Sequence, residues 1–157
     1  MTYFTGSRLR AGLFATLAVA VSAAPAQAQE APIGFIKTAQ ADARIVVAGK
    51  SVAAEPGMAE QTGYLLKTGA QGSIGLTLRD NTRLSIGPNT EIVVDEYVYA
   101  PGKGDLKLWA TLTKGTLQYV SGIIAKLKPE AVVMTTPVGI IGVRGTRYVA
   151  LVQEAAP

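Results

Sequence analysis

The sequence predicts an all-β fold, a short β-solenoid-like or rolled β-sandwich of many short strands, on three observations. Turn-forming residues recur at intervals of about eight to twelve positions. The segments between them are β-branched or alternate apolar with polar residues. Beyond the N-terminal stretch, no segment carries a convincing apolar stripe at the helical period of about 3.6 residues. The chain's 17 glycines follow no strict period, which fits many tight turns rather than a fibre.

Arg44 to Ala48 is β-branched and runs into Gly49-Lys50, a hairpin turn toward Ser51-Val52. Glu55-Pro56-Gly57 is a second turn. Tyr64-Leu65-Leu66 precedes a third, Thr68 to Gly72. Ile74, Leu76 and Leu78 then alternate with Ser73, Gly75, Thr77 and Arg79, which predicts one buried and one wet face. Asp80-Asn81 turns the chain, and Leu84 and Ile86 alternate with Arg83 and Ser85. Gly87-Pro88-Asn89 turns it again, and Glu91 to Tyr99 extends. Pro101 to Gly104 reads as the longest flexible loop. Leu106 to Leu112, Thr116 to Val120, Val132 to Thr135 and Arg147 to Val152 complete the strands. Ile123 to Leu127 fits a helical turn, a strand or a loop. A solenoid and a sandwich share this period and these turns, so both stay open.

The first 28 residues have the pattern of a Sec signal peptide. Arg8 and Arg10 supply a positive start, and Ala11 to Ala24 an apolar run too short to span a bilayer. Pro25 breaks the helix, and Ala26-Gln27-Ala28 offers small residues for cleavage before Gln29. The arginines are not adjacent, which disfavours the twin-arginine route. Removing 28 of 157 residues leaves 129, the size of one domain at 29–157. It also removes two of 15 basic residues, leaving 13 against 11 acidic, a net charge of +2. That balance gives no argument for nucleic acid. No later segment is long and apolar enough to span a membrane. The expected location is the periplasm or the outside of a Gram-negative cell.

The chain has no Cys and no His. It therefore has no disulfide framework, and it lacks both a thiol nucleophile and the commonest base and metal ligand. No nucleophile elbow or phosphate-binding loop is present. Gly139, Gly142 and Gly145 are spaced wrongly for a dinucleotide fingerprint. Asp80, Asp95, Glu96 and Asp105 lack calcium-loop spacing. Asp80-Asn81 reads as a solvated turn and Asp95-Glu96 as a solvated strand end. No catalytic residue, cofactor or metal is expected.

Three segments resemble the FecR-type domain, the family of the iron-dicitrate sensor of Gram-negative envelopes. Leu66-Lys67-Thr68-Gly69 with Gly72 to Leu76 is similar to the family's turn into an alternating strand. Leu78 to Thr90 resembles its strand, acidic turn, strand and Pro-Asn turn. Thr136-Pro137 followed by Gly142-Val143-Arg144-Gly145-Thr146-Arg147-Tyr148 is similar to its terminal signature. Leu117-Gln118 after Lys114-Gly115 fits a short strand pair between them. The likeness runs from about Gly34 to Leu151. It implies a rolled or solenoid-like β-fold acting as an extracytoplasmic interaction module. The family's full sensors add a cytoplasmic anti-sigma segment, a membrane span and a C-terminal domain. Here a cleaved leader is expected in place of the first two, which argues against direct control of a sigma factor.

Two groups are candidate interaction residues. Arg144, Gly145, Thr146 and Arg147 would contact an anion through two guanidinium groups beside a permissive glycine. Alternatively they encode a turn with Gly145 at positive φ, which is the preferred reading. Tyr97 and Tyr99, if they share one face, would form a sugar- or peptide-binding platform or cover the core. An edge strand is a further partner surface, by strand addition. The expected function is non-enzymatic binding to an envelope protein or a cell-wall component. Signalling in iron or siderophore uptake is one alternative, and a cell-wall glycan enzyme another.

Overall fold

Four long strands, each bent once, build the fold in the computed structural model, which describes residues 30–153. The expected leader lies outside the described residues. The first long strand is β1 (Gly34–Gln40) continued by β2 (Ala43–Val47). Two short strands follow, β3 (Lys50–Ala53) and β4 (Ala59–Glu60). The second long strand is β5 (Leu65–Thr68) with β6 (Ser73–Leu78). The third is β7 (Arg83–Ile86) with β8 (Glu91–Ala100). The fourth is β9 (Asp105–Val120), whose two halves belong to different lobes.

Neighbouring long strands run antiparallel. One lobe pairs β1, β6, β7 and the C-terminal half of β9. The other pairs β2, β5, β8 and the N-terminal half of β9. The sheet curls into an open half-barrel, so the all-β prediction holds in its rolled form. The chain then forms α1 (Ile123–Leu127), β10 (Val132–Thr136), β11 (Gly139–Gly142) and β12 (Arg147–Val152). β12 pairs with β9 in the first lobe, β10 runs parallel to β9 in the second, and β11 pairs with β10. Among the described residues no helix is long and apolar enough to cross a membrane.

The alternation seen in the sequence becomes rows of side chains on the inner face. Ile36, Leu76, Leu84 and Tyr119 lie in register across one lobe. Ile45, Leu66, Ile92 and Leu112 do the same across the other. None of these eight is more than 1% exposed. Burial of each such aliphatic side chain contributes roughly 1.5–3 kcal/mol relative to exposure.

Each bend strips backbone groups from the ladder, and all four bends stack along one line. The Gly69 amide donates to the Asp42 carbonyl, the Asn89 amide to the Gly69 carbonyl, and the Gly87 amide to the Thr116 carbonyl. Two buried threonines close the remaining gaps. Thr68 Oγ1 donates to the Gly87 carbonyl at 2.6 Å and accepts from the Thr90 amide at 2.9 Å. Thr90 Oγ1 accepts from the Thr116 amide at 2.9 Å. Gly115 has φ +92°, and a Cβ there would overlap Thr90. This glycine turns β9 through the bend without ending it. The expected separate strands at Leu106–Leu112 and Thr116–Val120 are therefore one strand, with the buried phase switching from even to odd residues.

The opposite end is organised by Asp80, in the turn between β6 and β7. The sequence reading placed it in solvent, but it is fully buried. Its Oδ1 accepts from the Thr82 amide at 3.2 Å and the Tyr97 hydroxyl at 3.1 Å. Its Oδ2 accepts from Thr82 Oγ1 at 2.7 Å and the Ile124 amide at 3.2 Å. Its carbonyl takes the Ile123 amide at 2.7 Å, so this one residue anchors the start of α1. The carboxylate replaces water with four donors, which is the condition for burying a charge cheaply. Gly122 lets α1 come this close, because a Cβ there would overlap Asp80 and Thr82. Asn81, at φ +65°, completes a three-residue hairpin loop. Pro101 to Lys103, expected as a long loop, is a tight 3-10 turn joining β8 to β9.

Glu60 is the other fully buried acid, and neither carboxyl oxygen has a hydrogen-bond partner among the described residues. It is in register with Gly34 and, across β1, with Leu78, which puts it on the core face. Burial pushes its carboxyl up to about 8.

Asp80→Ala is expected to cost about 3–5 kcal/mol in urea unfolding, because it orphans several buried donors at once. Glu60 makes stability depend on pH. The folded chain holds its proton more tightly than the unfolded chain, so stability falls as pH rises from about 4.5 to about 8. The slope approaches about 1.4 kcal/mol per pH unit. The chain has no histidine to titrate in that interval. Glu60→Gln should flatten the dependence and melt higher than the parent at pH 8, as thermal melts from pH 5 to 9 would measure.

Candidate interaction surface

β10 and β11 form a hairpin through Pro137-Val138, with Thr136 Oγ1 donating to the Gly139 carbonyl at 2.8 Å. Trp109 Nε1 donates to Thr135 Oγ1 at 2.9 Å, tying β10 to the outer side of β9. Lys107 lies 5.1 Å from the centre of the indole ring and pairs with Glu96. The segment after β11 sinks Val143 into the core and then emerges. Arg144, Gly145, Thr146 and Arg147 are all exposed.

The end of β9 holds this emerging loop. The Gly145 carbonyl accepts from Ser121 Oγ at 2.6 Å, and the Thr146 carbonyl accepts from the Ser121 amide at 2.9 Å. Gly145 has φ +126°, the positive value that its turn reading requires. Arg144 and Gly145 border a cavity of about 620 Å³ whose wall includes Ala125, Val132 and Val143, with Glu130 at its side. Neither Arg144 nor Arg147 joins an ion pair among the described residues.

Arg147 opens β12, and the register places it beside Val120, whose other neighbour is Arg83. Arg83, Val120 and Arg147 thus form one outward row across three strands. Tyr148 points the other way, and its ring stacks on Tyr119 with centroids 4.9 Å apart. Burial pushes the phenols of both tyrosines upward.

Tyr97 and Tyr99 do share a face, and it is the inner one. A bulge between Val94 and Glu96 shifts the phase of β8, so both tyrosines oppose the buried Leu108 and Leu106. The Tyr97 hydroxyl accepts from the Asp80 amide at 2.9 Å while donating to its carboxylate. Burial and the Asp80 charge push the Tyr97 phenol upward. Both half-buried rings border a second cavity, of about 390 Å³, beside Arg79, Gln61, Asp95 and Glu96. Arg144 and Gly145 therefore line a different cavity from the tyrosine pair.

Sequence reasoning missed the role of Asp80 and the exposed apolar residues of the last strands. Asp80-Asn81-Thr82 carries a usable signal, since an Asp accepting from the residue two positions on is an Asx turn. Val138 is 90% exposed, Ile140 70%, and Val149 and Leu151 64% each. In a linear reading these look like ordinary core residues.

Arg144→Ala is expected to change unfolding free energy by less than about 0.5 kcal/mol, as for other exposed positions. Gly145→Val should cost about 1–3 kcal/mol, because a β-branched residue is strained at that φ. Paired urea titrations would separate a binding arginine from a folding glycine.

Residues 64–156 match the family described as FecR protein, which takes in β5 through β12. The matched segment starts later than the likeness expected from Gly34, and β1 through β4 precede it. Neither a curated protein nor a solved structure matches the chain. With more than half of its length matched, and with the three motif segments placed at the bends, the Asp80 turn and the exposed arginine loop, this chain belongs to the FecR protein family, a family of regulatory sensors.

Proposed function

We propose that this chain is an exported, non-enzymatic interaction module of the bacterial envelope. The observation that carries the reading is the different use made of its motif segments. The first two are consumed by folding, since Thr68, Asp80 and Thr90 are buried and hydrogen-bonded. Arg144 to Arg147 instead face solvent beside the larger cavity. A regulatory family and an exposed motif together favour a protein partner in the envelope over a cell-wall component.

Signalling in iron or siderophore uptake is the second reading, and the family match favours it. The glycan-enzyme alternative needs two carboxyl groups across a cleft. Asp80 is already saturated with donors, Asp95 accepts from Thr111, and Glu96 holds Lys107. That use of the acids lends the enzyme reading no support.

A photo-crosslinking residue placed at Arg144, Val138 or Leu127 in intact cells should give discrete adducts with an envelope protein, and the purified mature chain should begin at Gln29. Retention of residues 1–28 in the mature protein counts against export by cleavage. An absence of adducts at all three positions, together with measured peptidoglycan hydrolysis, would overturn the module reading. Expression that rises under iron starvation would favour the signalling version.

A further inference from the structure

The described sheet ends in four edge strands, and three of them are blunted. β3 has four residues, begins with Lys50 and is followed closely by Pro56. β4 has two residues. β11 has four, with glycine at each end and Pro137 just before it. Short length, charged side chains and proline are the usual devices that stop another strand from pairing with an edge, and glycine weakens a strand. β12 is neither short nor interrupted by proline or glycine, and its one charge, Arg147, stands at its first position. It is six residues long, and its register with β9 runs unbroken from Arg147 to Val152. On its other side no strand pairs with it among the described residues.

The outward side chains of β12 are Arg147, Val149 and Leu151. The two apolar ones are each 64% exposed. The outer face beside them carries Ser85, Gln118 and Thr116 on the neighbouring strands, and no carboxylate. Arg83 lies two strands from Arg147 in the same row, roughly 9.5 Å away by strand spacing. No ion pair among the described residues includes either guanidinium.

We infer that β12 is a docking edge for an extended segment of another protein, added as a strand, with an acidic residue opposite Arg147 and apolar residues opposite Val149 and Leu151. The inference rests on the module reading and names the partner's chemistry. Cross-strand pairs on one face supply the recognition, while the unpaired backbone supplies the hydrogen bonds. A second copy of the chain fits poorly. β12 contains no acid, so β12 paired with itself cannot place a countercharge opposite Arg147 in any register.

The test uses a fluorescein-labelled peptide, Thr-Leu-Thr-Val-Thr-Glu-Thr, which runs antiparallel to β12 with Leu, Val and Glu opposite Leu151, Val149 and Arg147. Fluorescence anisotropy with the purified protein should show saturable binding. Replacing the peptide's glutamate by lysine should weaken binding at least about tenfold. Arg147→Glu should reverse that preference, and proline in place of the peptide's valine should abolish binding. Val149→Thr, on the solvent face, provides a second variant, and circular dichroism confirms that both variants fold. Failure of both peptides to bind overturns the inference. Binding that ignores the charge swap does so too, as does binding only to anionic phosphatidylglycerol vesicles. A dimer formed through β12 that the peptide cannot compete away also overturns it. None of these results touches crosslinks found in cells at Val138 or Leu127, so the module reading stands or falls separately.

Discussion

Four consecutive strands must cross from one lobe to the other along a single line, and the backbone groups freed by each bend must find partners there. That constraint organises the rest of the molecule. A bend in one strand is costly alone, because its amides and carbonyls leave the ladder. Stacked bends hydrogen-bond to one another, as Asp42, Gly69, Asn89 and Thr116 do. Thr68 and Thr90 supply the donors and acceptors that the backbone cannot reach. Gly69, Gly72 and Gly115 leave room for neighbours that a Cβ would strike. The turn motifs Lys67-Thr68-Gly69 and Gly87-Pro88-Asn89-Thr90 are thus one structure seen from two places in the chain.

With the bends fixed at one end, the hairpins at the other end must close the half-barrel. Asp80 does this with a charge rather than with apolar packing. Four donors from the β6–β7 turn, β8 and α1 converge on its carboxylate. The same contacts hold Gly122 and α1 in place, and the chain proceeds from there to the last strands. Glu60 shows the opposite treatment, a buried acid with no donor among the described residues, which the core tolerates chiefly in its neutral form.

The two motif regions near the bends and Asp80 spend their chemistry on folding. The last motif does not, because Val143 anchors it and Ser121 holds its carbonyls, leaving both arginines pointing outward. Family membership and exposure therefore meet at one place on the surface. It lies beside β12, where Val149 and Leu151 are also uncovered.

The sequence alone determined the all-β class, β6 and β7 through period-two alternation, β12 as an apolar run, and the turns at Gly49, Gly57 and Asn81 through their turn-forming residues. These are local effects, since side-chain alternation and backbone preference act within a few residues. The motif spacing likewise marked Arg144 to Arg147. Tertiary structure decided what has no local signature. The bulge after Val94 turned Tyr97 and Tyr99 inward, although their spacing suits either face. A kink at Gly115 made one strand where the apolar phase had suggested two. The burial of Asp80 depends on Tyr97 and Ile124, which are distant in sequence. Exposure of Val149 and Leu151 depends on which strands lie beside β12, because alternation distinguishes the two faces of a strand but not which of them the core covers.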